Sequence, residues 1–245
     1  YFSPEPVLPY DATRGCYWGK CAFCHYGLSE KGAALYRKRP IDKIVNHLKE
    51  LKERWNCRIF YFSQDAFDPN TARKTSRALR KERIGIKWGS DMRPEPSLTR
   101  ELCRELAEGG ALALSLGIES AAPRVLKLID KGVGIENMRA AIMNLSKAGI
   151  AAEAMCFTDF PTETAEEARL TLDFIDGMRQ HLALFICGRF GLCAGSLVAR
   201  FPEKYGVENI RTLQGDQLKS GLFYQETKSS KSDEEREEIE DLVDR

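Results

Sequence analysis

The feature that most constrains the fold is an alternation running through most of the chain, in which short apolar, β-rich runs are separated by stretches of helical period. The apolar runs fall at 7–10, 58–62, 84–88, 111–116, 150–157 and 182–187, each about one strand long. Between them, apolar residues recur with helical spacing over 41–54, 70–81, 98–108, 135–147 and 164–178. Asp68-Pro69 and Ser97 read as helix starts, and Gly109-Gly110 and Gly149 as helix stops. Strands alternating with helices build βαβ units with right-handed crossovers, and these require a parallel sheet. The expectation is an α/β fold, a partial (β/α)6 TIM-like barrel over residues 1–200, with a C-terminal extension over 201–245. Chemistry in such folds sits on the loops leaving the C-terminal ends of the strands.

Composition narrows the function classes. Of 245 residues, 43% are hydrophobic, and Lys+Arg 37 against Asp+Glu 36 leaves a formal charge of +1. No global field therefore favours nucleic acid or an anionic membrane, and partners must be argued from sites. No apolar run approaches the roughly 18 residues of a membrane span, and Tyr1-Phe2-Ser3-Pro4 lacks a signal-peptide pattern. The first residue is not Met, so the chain is expected to be an excerpt of something longer. Of the eight cysteines, Cys57, Cys103, Cys156, Cys187 and Cys193 are scattered, unlike a disulfide framework, which points to a reducing, cytoplasmic compartment. From Lys228 onward the chain is charge-dense and reads as a solvated helix or tail.

The other three cysteines lie within nine residues, after the first apolar run: Arg14-Gly15-Cys16-Tyr17-Trp18-Gly19-Lys20-Cys21-Ala22-Phe23-Cys24-His25-Tyr26-Gly27. Thiolates are soft ligands suited to iron–sulfur clusters or zinc, and the glycines allow the positive φ angles of a tight loop. Three readings compete. Structural zinc wants a fourth ligand, and the local candidate is His25, adjacent to Cys24. A [2Fe–2S] carrier uses this C-x4-C-x2-C spacing with a distant fourth Cys, for which Cys57 is available. A [4Fe–4S] cluster on Cys16, Cys21 and Cys24 leaves one iron open to a substrate or cofactor.

This loop resembles the cluster loop of the radical S-adenosylmethionine superfamily, in the branch whose members often carry an N-terminal cobalamin-binding domain. The commonest superfamily spacing has one residue fewer between the first two cysteines. Further matches follow in order: Tyr36-Arg37-Lys38-Arg39-Pro40, which resembles the segment closing the cluster loop; Ser63-Gln64-Asp65; Gly117-Ile118-Glu119-Ser120 with Val125-Leu126 and Lys131-Gly132; and Phe160-Pro161-Thr162-Glu163-Thr164, with Thr162 in place of the usual glycine. The resemblance covers roughly residues 5–190.

The resemblance implies a [4Fe–4S] cluster and S-adenosylmethionine as cofactors, and reductive cleavage of the sulfonium to a 5′-deoxyadenosyl radical that abstracts hydrogen from a small-molecule or peptide substrate. An electron donor such as flavodoxin or ferredoxin is implied as partner. Cobalamin is implied only by the branch, with methylation or rearrangement as outcomes; methylthiolation would need a second cluster. Ser63 and Asp65 are expected at the methionine amino group, Ser90 and Arg93 at its carboxylate, Glu119 at the ribose hydroxyls and Phe23 against the adenine. No catalytic residue beyond these is singled out. The alternative class is an electron-transfer module with a fully ligated cluster.

Each assignment has a structural counterpart. Asp65 can cap the helix opening at Asp68-Pro69, Glu119 can pair with Arg124 or Lys127, and Arg93 can be a solvated loop residue. His47 reads as helix surface, His181 as a loop residue, and Cys57, Cys103 and Cys156 as core. Cys187 and Cys193 flank a Gly-rich stretch as an incomplete two-thiol site.

Overall fold

Alternating burial along each strand divides one parallel sheet into a dry face and an open face. The computed structural model describes residues 5–25, 28–29, 32–33, 36–212, 214–215 and 221–244; Tyr26, Gly27 and the N-terminal residues 1–4 lie outside the described residues. Six strands, β1 (Val7–Pro9), β2 (Ile59–Phe62), β3 (Lys87–Met92), β4 (Ala111–Glu119), β5 (Ala151–Thr158) and β6 (Leu184–Arg189), lie side by side in chain order with every neighbouring pair parallel. β1 and β6 stand at opposite ends of the sheet, so the barrel is partial, as expected. The helices between strands are α1 (Ile41–Trp55), α2 (Pro69–Lys81), α3 (Arg100–Glu108), α4 (Pro123–Leu128), α5 (Ile135–Lys147) and α6 (Ala165–Met178).

Phe60, Phe62, Trp88, Leu114, Leu116 and Ala154 are completely buried and share one core with the apolar residues of the helices, among them Leu48, Leu106 and Ile142. Trp88 stacks on Phe62 with ring centroids 5.1 Å apart, meets Phe67 edge-on, and donates its indole N–H to the Gly109 carbonyl. Burying one such side chain contributes roughly 2–3 kcal/mol. The intervening residues Tyr61, Gly89, Asp91, Ser115, Glu153 and Phe157 occupy the other, inner face. There Tyr61 donates to Asp91 (2.7 Å) and Ser115 to Glu153.

The third strand starts three residues later than its apolar run predicts. Ile84 and Ile86 are buried, but Gly85 (φ 66°) turns the chain between them, and the parallel ladder begins only at Lys87 opposite Ile59. On its inner face Gly89, without a side chain, and the polar Asp91 hide the rest of the strand from an apolar pattern. α3 begins at Arg100, later than Ser97, because the Thr99 side chain accepts from the Leu102 N–H (3.2 Å). α4 is not visible as helical period, being six residues long.

Beyond β6, the strands β7 (Leu192–Cys193), β8 (Val207–Arg211) and β9 (Gly221–Glu226) form an antiparallel sheet with β9 in the middle, α7 (Leu197–Arg200) lies between β7 and β8, and α8 (Asp233–Val243) closes the chain. The charge-dense end is not simply solvated. Ile239 of α8 packs on Ala165 and Ala168 of α6. Ahead of it, Lys231, its side chain 1% exposed, reaches Glu163 at 2.9 Å and Asp159 at 3.0 Å. Arg236 joins Asp159 (2.8 Å) to Glu226 (3.3 Å). A composition scan reads these charges as a solvated face because their partners lie about seventy positions upstream.

Thr162 departs from the glycine of the resembled turn, and its backbone carries the consequence. Its φ is 70°, a conformation that β-branched residues strongly disfavour. Arg124 holds it there through the Thr162 carbonyl and hydroxyl. Thr162→Gly is expected to raise the unfolding free energy by about 1 kcal/mol, read as a later midpoint in urea. An unchanged or earlier midpoint would show that the Arg124 contacts outweigh the strain.

Candidate functional site

β1 delivers the chain into the cysteine loop at the C-terminal end of the sheet. Thr13–Arg14 pairs antiparallel with Arg37–Lys38, and the Arg39 N–H donates to the Ala12 carbonyl, so the 36–40 segment closes the loop. Tyr36 donates to Asp68 at 2.7 Å. Asp68 also caps α2 by accepting from the Thr71 N–H (2.9 Å). Burial alone would raise the Asp68 carboxyl, but these bonds and Lys38 outweigh it and hold it below the usual aspartate range. The stability it contributes is therefore present above the ordinary aspartate value and lost as pH falls through the lowered one.

Cys16, Cys21 and Cys24 are partly buried thiols outside any disulfide. Ala22, between the last two, donates its N–H to Ile129 (2.8 Å) and accepts from the Val198 N–H (3.1 Å), and Cys24 N–H turns back to Cys21. Gly15 and Gly19 take the positive φ expected of them. The Trp18 indole donates to the Asp130 carbonyl at 2.8 Å.

The Lys131-Gly132 pair explains itself once this loop is in place. A Cβ on Gly132 would come 2.2 Å from the Trp18 ring, so only glycine lets the loop seat there. Lys131 is buried and donates to Glu119 at 2.9 Å, and the pair lies over Gly117, where a Cβ would meet Glu119 Oε1 at 2.4 Å. A bulge in the β4–β5 pairing and a φ of 65° at Glu119 aim this carboxylate out of the ladder. Gly132→Ala is expected to displace Trp18, lower the unfolding free energy by roughly 1–3 kcal/mol, and reduce iron bound per chain after reconstitution. Wild-type iron content in that variant would show that the loop tolerates the shift.

Arg93 is 4% exposed, not the solvated residue of the alternative reading. Its guanidinium lies 4.5 Å over the Trp18 ring, bonds Glu95 (2.9 Å) and the Lys131 carbonyl, and points Nη1 at Cys21 Sγ, 3.8 Å away. Burial pushes the Cys21 thiol up, and Lys131 and Arg93 pull it back toward thiolate.

The remaining sequence-derived residues separate. Asp65 is not the helix cap, which is Asp68; burial raises its carboxyl, while the Gly15 amide and His25 act against the rise. Ser63, exposed, donates to Asp11 (2.9 Å). Phe23 meets Phe157 edge-on at 5.3 Å. Glu119 pairs with neither Arg124, which bonds Glu167, nor Lys127, but with Lys131. Ser90 is 1% exposed, and its hydroxyl donates to the Phe62 carbonyl (2.9 Å) and accepts from Gln64 (3.0 Å), bonds that tie β2 to β3. The sequence reading missed Trp18, Lys131 and Gln64 as site-forming residues. All three sit in motifs quoted above, but their partners, Asp130, Glu119 and Ser90, lie 12 to 112 positions away.

His47 is bonded to Tyr10 (3.2 Å), and His181 faces Ser146 (3.3 Å). Cys187 does not face Cys193. It lies in register with Cys156 on the neighbouring strand, while the Cys193 thiol turns to the Gly191 carbonyl. Cys57 donates to the Pro6 carbonyl (3.0 Å) just ahead of β2, at the N-terminal end of the sheet and opposite the cysteine loop. It is thus no fourth ligand for that loop. Among the described residues, no three His, Cys, Asp or Glu side chains converge as ligands of a single ion, which a zinc site demands. A cluster demands less convergence, since each thiolate takes its own iron. The donor set, three thiols on one loop backed by two buried cations, fits an anionic iron–sulfur cluster.

Residues 10–175 match the family model described as the radical SAM superfamily. An uncharacterized methyltransferase of Pyrococcus horikoshii is 29% identical over 164 residues, 66% of this chain and 35% of that protein. The bacteriochlorophyllide d C-12(1)-methyltransferase of Chlorobaculum tepidum is 27% identical over 188 residues, 73% of this chain and 39% of that protein. The solved structure of the cobalamin-dependent S-adenosylmethionine radical enzyme OxsB superposes with a TM-score of 0.72 at 16% identity, covering 90% of this chain and 38% of that one. The chain thus spans well under half the length of these proteins.

Proposed function

The chain belongs to the radical SAM superfamily, and on that premise we propose that it is an enzyme holding a [4Fe–4S] cluster on Cys16, Cys21 and Cys24 and cleaving S-adenosylmethionine reductively. The observation that carries the reading is the ligand count: three thiols share one loop, and Cys57, the fourth thiol an electron carrier would need, lies at the other end of the sheet. When bound, the cluster supplies the single electron that breaks the sulfonium C–S bond, giving methionine and a 5′-deoxyadenosyl radical.

The chain's own residues do the rest. Lys131 and Arg93, both buried, offset the negative charge that thiolates bring to the loop. Glu119, fixed by Lys131, offers a carboxylate to ribose hydroxyls. Asp65 offers one to the methionine ammonium, with Ser63 beside it. Phe23 presents an aromatic face to the adenine. The aromatic group of Phe157, Phe160 and Phe190 behind Phe23 excludes water from that side.

Both relatives named above carry the name methyltransferase, which supports methyl transfer to a small-molecule or peptide substrate as the finer reading, with cobalamin implied by the branch resemblance. That step rests on kinship, not on a residue of this chain. Eight cysteines outside any disulfide favour a reducing, cytoplasmic setting, and no helix among the described residues is long and apolar enough to cross a membrane. The test is anaerobic reconstitution with iron and sulfide, then dithionite and S-adenosylmethionine, with 5′-deoxyadenosine measured. A loaded cluster that releases none sinks the enzyme reading.

A further inference from the structure

We infer that the groove lined by Lys20, Ala22, Arg124, Lys127, Lys204 and Tyr205 is the docking face for an acidic one-electron donor protein. The inference rests on the function proposed above, because only a cluster that must be reduced needs such a partner. The donor loses one electron, the cluster gains it, and no bond is made or broken in that step.

Three observations carry it. The first is charge. The groove, about 430 Å³, gathers Lys20, Arg124, Lys127 and Lys204 against Asp130 alone. Arg124 is neutralised by Glu167, but Lys20, Lys127 and Lys204 have no carboxylate partner among the described residues. The whole chain carries only +1, so this local excess is what an acidic surface would find, and charge complementarity of this kind acts on encounter and orientation.

The second is position. Ala22 lines the groove and is the residue following Cys21. Its backbone is fixed on both sides, to Ile129 and Val198, so the groove floor and the cysteine loop are one rigid unit. Electron transfer weakens steeply with distance, and a partner seated here is separated from the cluster ligands by a single residue of chain.

The third is how the charges are held. In the other basic group beside the loop, Arg14 pairs with Asp11 (3.8 Å) and Lys38 with Asp68 (3.4 Å), leaving Arg37 and Arg39 as the rival cations that the Arg37→Glu control addresses. In the groove the Lys20 ammonium lies over Trp18 (4.8 Å) and that of Lys204 over Tyr205 (5.5 Å), so neutral aromatic faces position these cations without cancelling their charge.

The test uses reconstituted protein and fluorescently labelled flavodoxin, with binding followed by anisotropy at low and high salt. Wild-type protein should bind, and binding should weaken as salt screens the charges. The double variant Lys127→Glu, Lys204→Glu should bind about tenfold more weakly, and its flavodoxin-driven 5′-deoxyadenosine formation should fall in parallel. Its dithionite-driven formation should match wild type, because dithionite needs no docking face and both lysines are exposed and outside the site. Wild-type binding by the double variant, binding insensitive to salt, or an equal loss in Arg37→Glu would each overturn the proposal. Absence of dithionite-driven product in wild type would instead overturn the function it rests on, a result the binding arm does not share.

Discussion

Reconstituted anaerobically with iron and sulfide, the Cys21→Ala variant is expected to hold no [4Fe–4S] cluster and to form no 5′-deoxyadenosine, while wild-type protein does both. Cys21 is the thiol that Arg93 points at and that Lys131 also influences, so its loss removes both a ligand and the anion those two buried cations face. Three protein thiolates are the minimum from which one iron is left open, and with two the cluster has no comparable hold. Cys57→Ala is the matching control. Its thiol serves the Pro6 carbonyl at the far end of the sheet, so that variant should keep full iron and sulfide content and lose only some stability. Iron analysis and the visible absorption of the cluster read both variants. Retention of the cluster in Cys21→Ala would overturn the ligand assignment, and its loss in Cys57→Ala would exchange that assignment for the carrier's.

Lys231→Ala should destabilise the fold by about 3 kcal/mol. The side chains of Lys231 and Glu163 are 1% and 0% exposed, so removing the lysine leaves a carboxylate in a dry site with no cation to offset it. The pH dependence identifies the mechanism. Burial, partly opposed by Lys231, already raises the Glu163 carboxyl above its ordinary value. A folded-state pKa above the unfolded one means the native state binds the proton more tightly, so this group's contribution to stability declines as pH rises through that interval. Without Lys231 the carboxyl should rise further. The deficit of the variant relative to wild type should therefore be smallest at acid pH, where Glu163 is protonated in both, and largest above the raised pKa. Urea titrations across the pH range measure this. A pH-independent deficit would mean that lost packing of the lysine stem, not the stranded charge, destabilises the fold.

Much of the fold was legible because period is a local property. Alternating runs located all six strands to within a few residues, and Asp68 fixed the start of α2, whereas Ser97 fell two residues ahead of the Thr99 cap of α3. β3 was misplaced because its inner face is polar where the barrel opens, so a functional surface interrupted the apolar pattern by which strands are found. Thr162 shows the converse. The sequence marks the departure from glycine, but only the backbone reveals that a threonine is held at positive φ by an arginine thirty-eight positions away.

The sequence alone determined the chemistry on offer: three clustered thiols, their order after the first strand, and the motifs that follow. Those are properties of spacing along one loop, and spacing survives without coordinates. What only the tertiary structure decided is which residues meet. That Ser90 is sealed into the sheet, that Glu119 answers to Lys131, that Gly132 makes room for Trp18, and that Cys57 stands away from the cluster loop are contacts between residues 12 to more than 100 positions apart. Hydrogen bonds and packing act through space, so no local pattern encodes them, and among them the position of Cys57 is what sets it apart from the cluster loop.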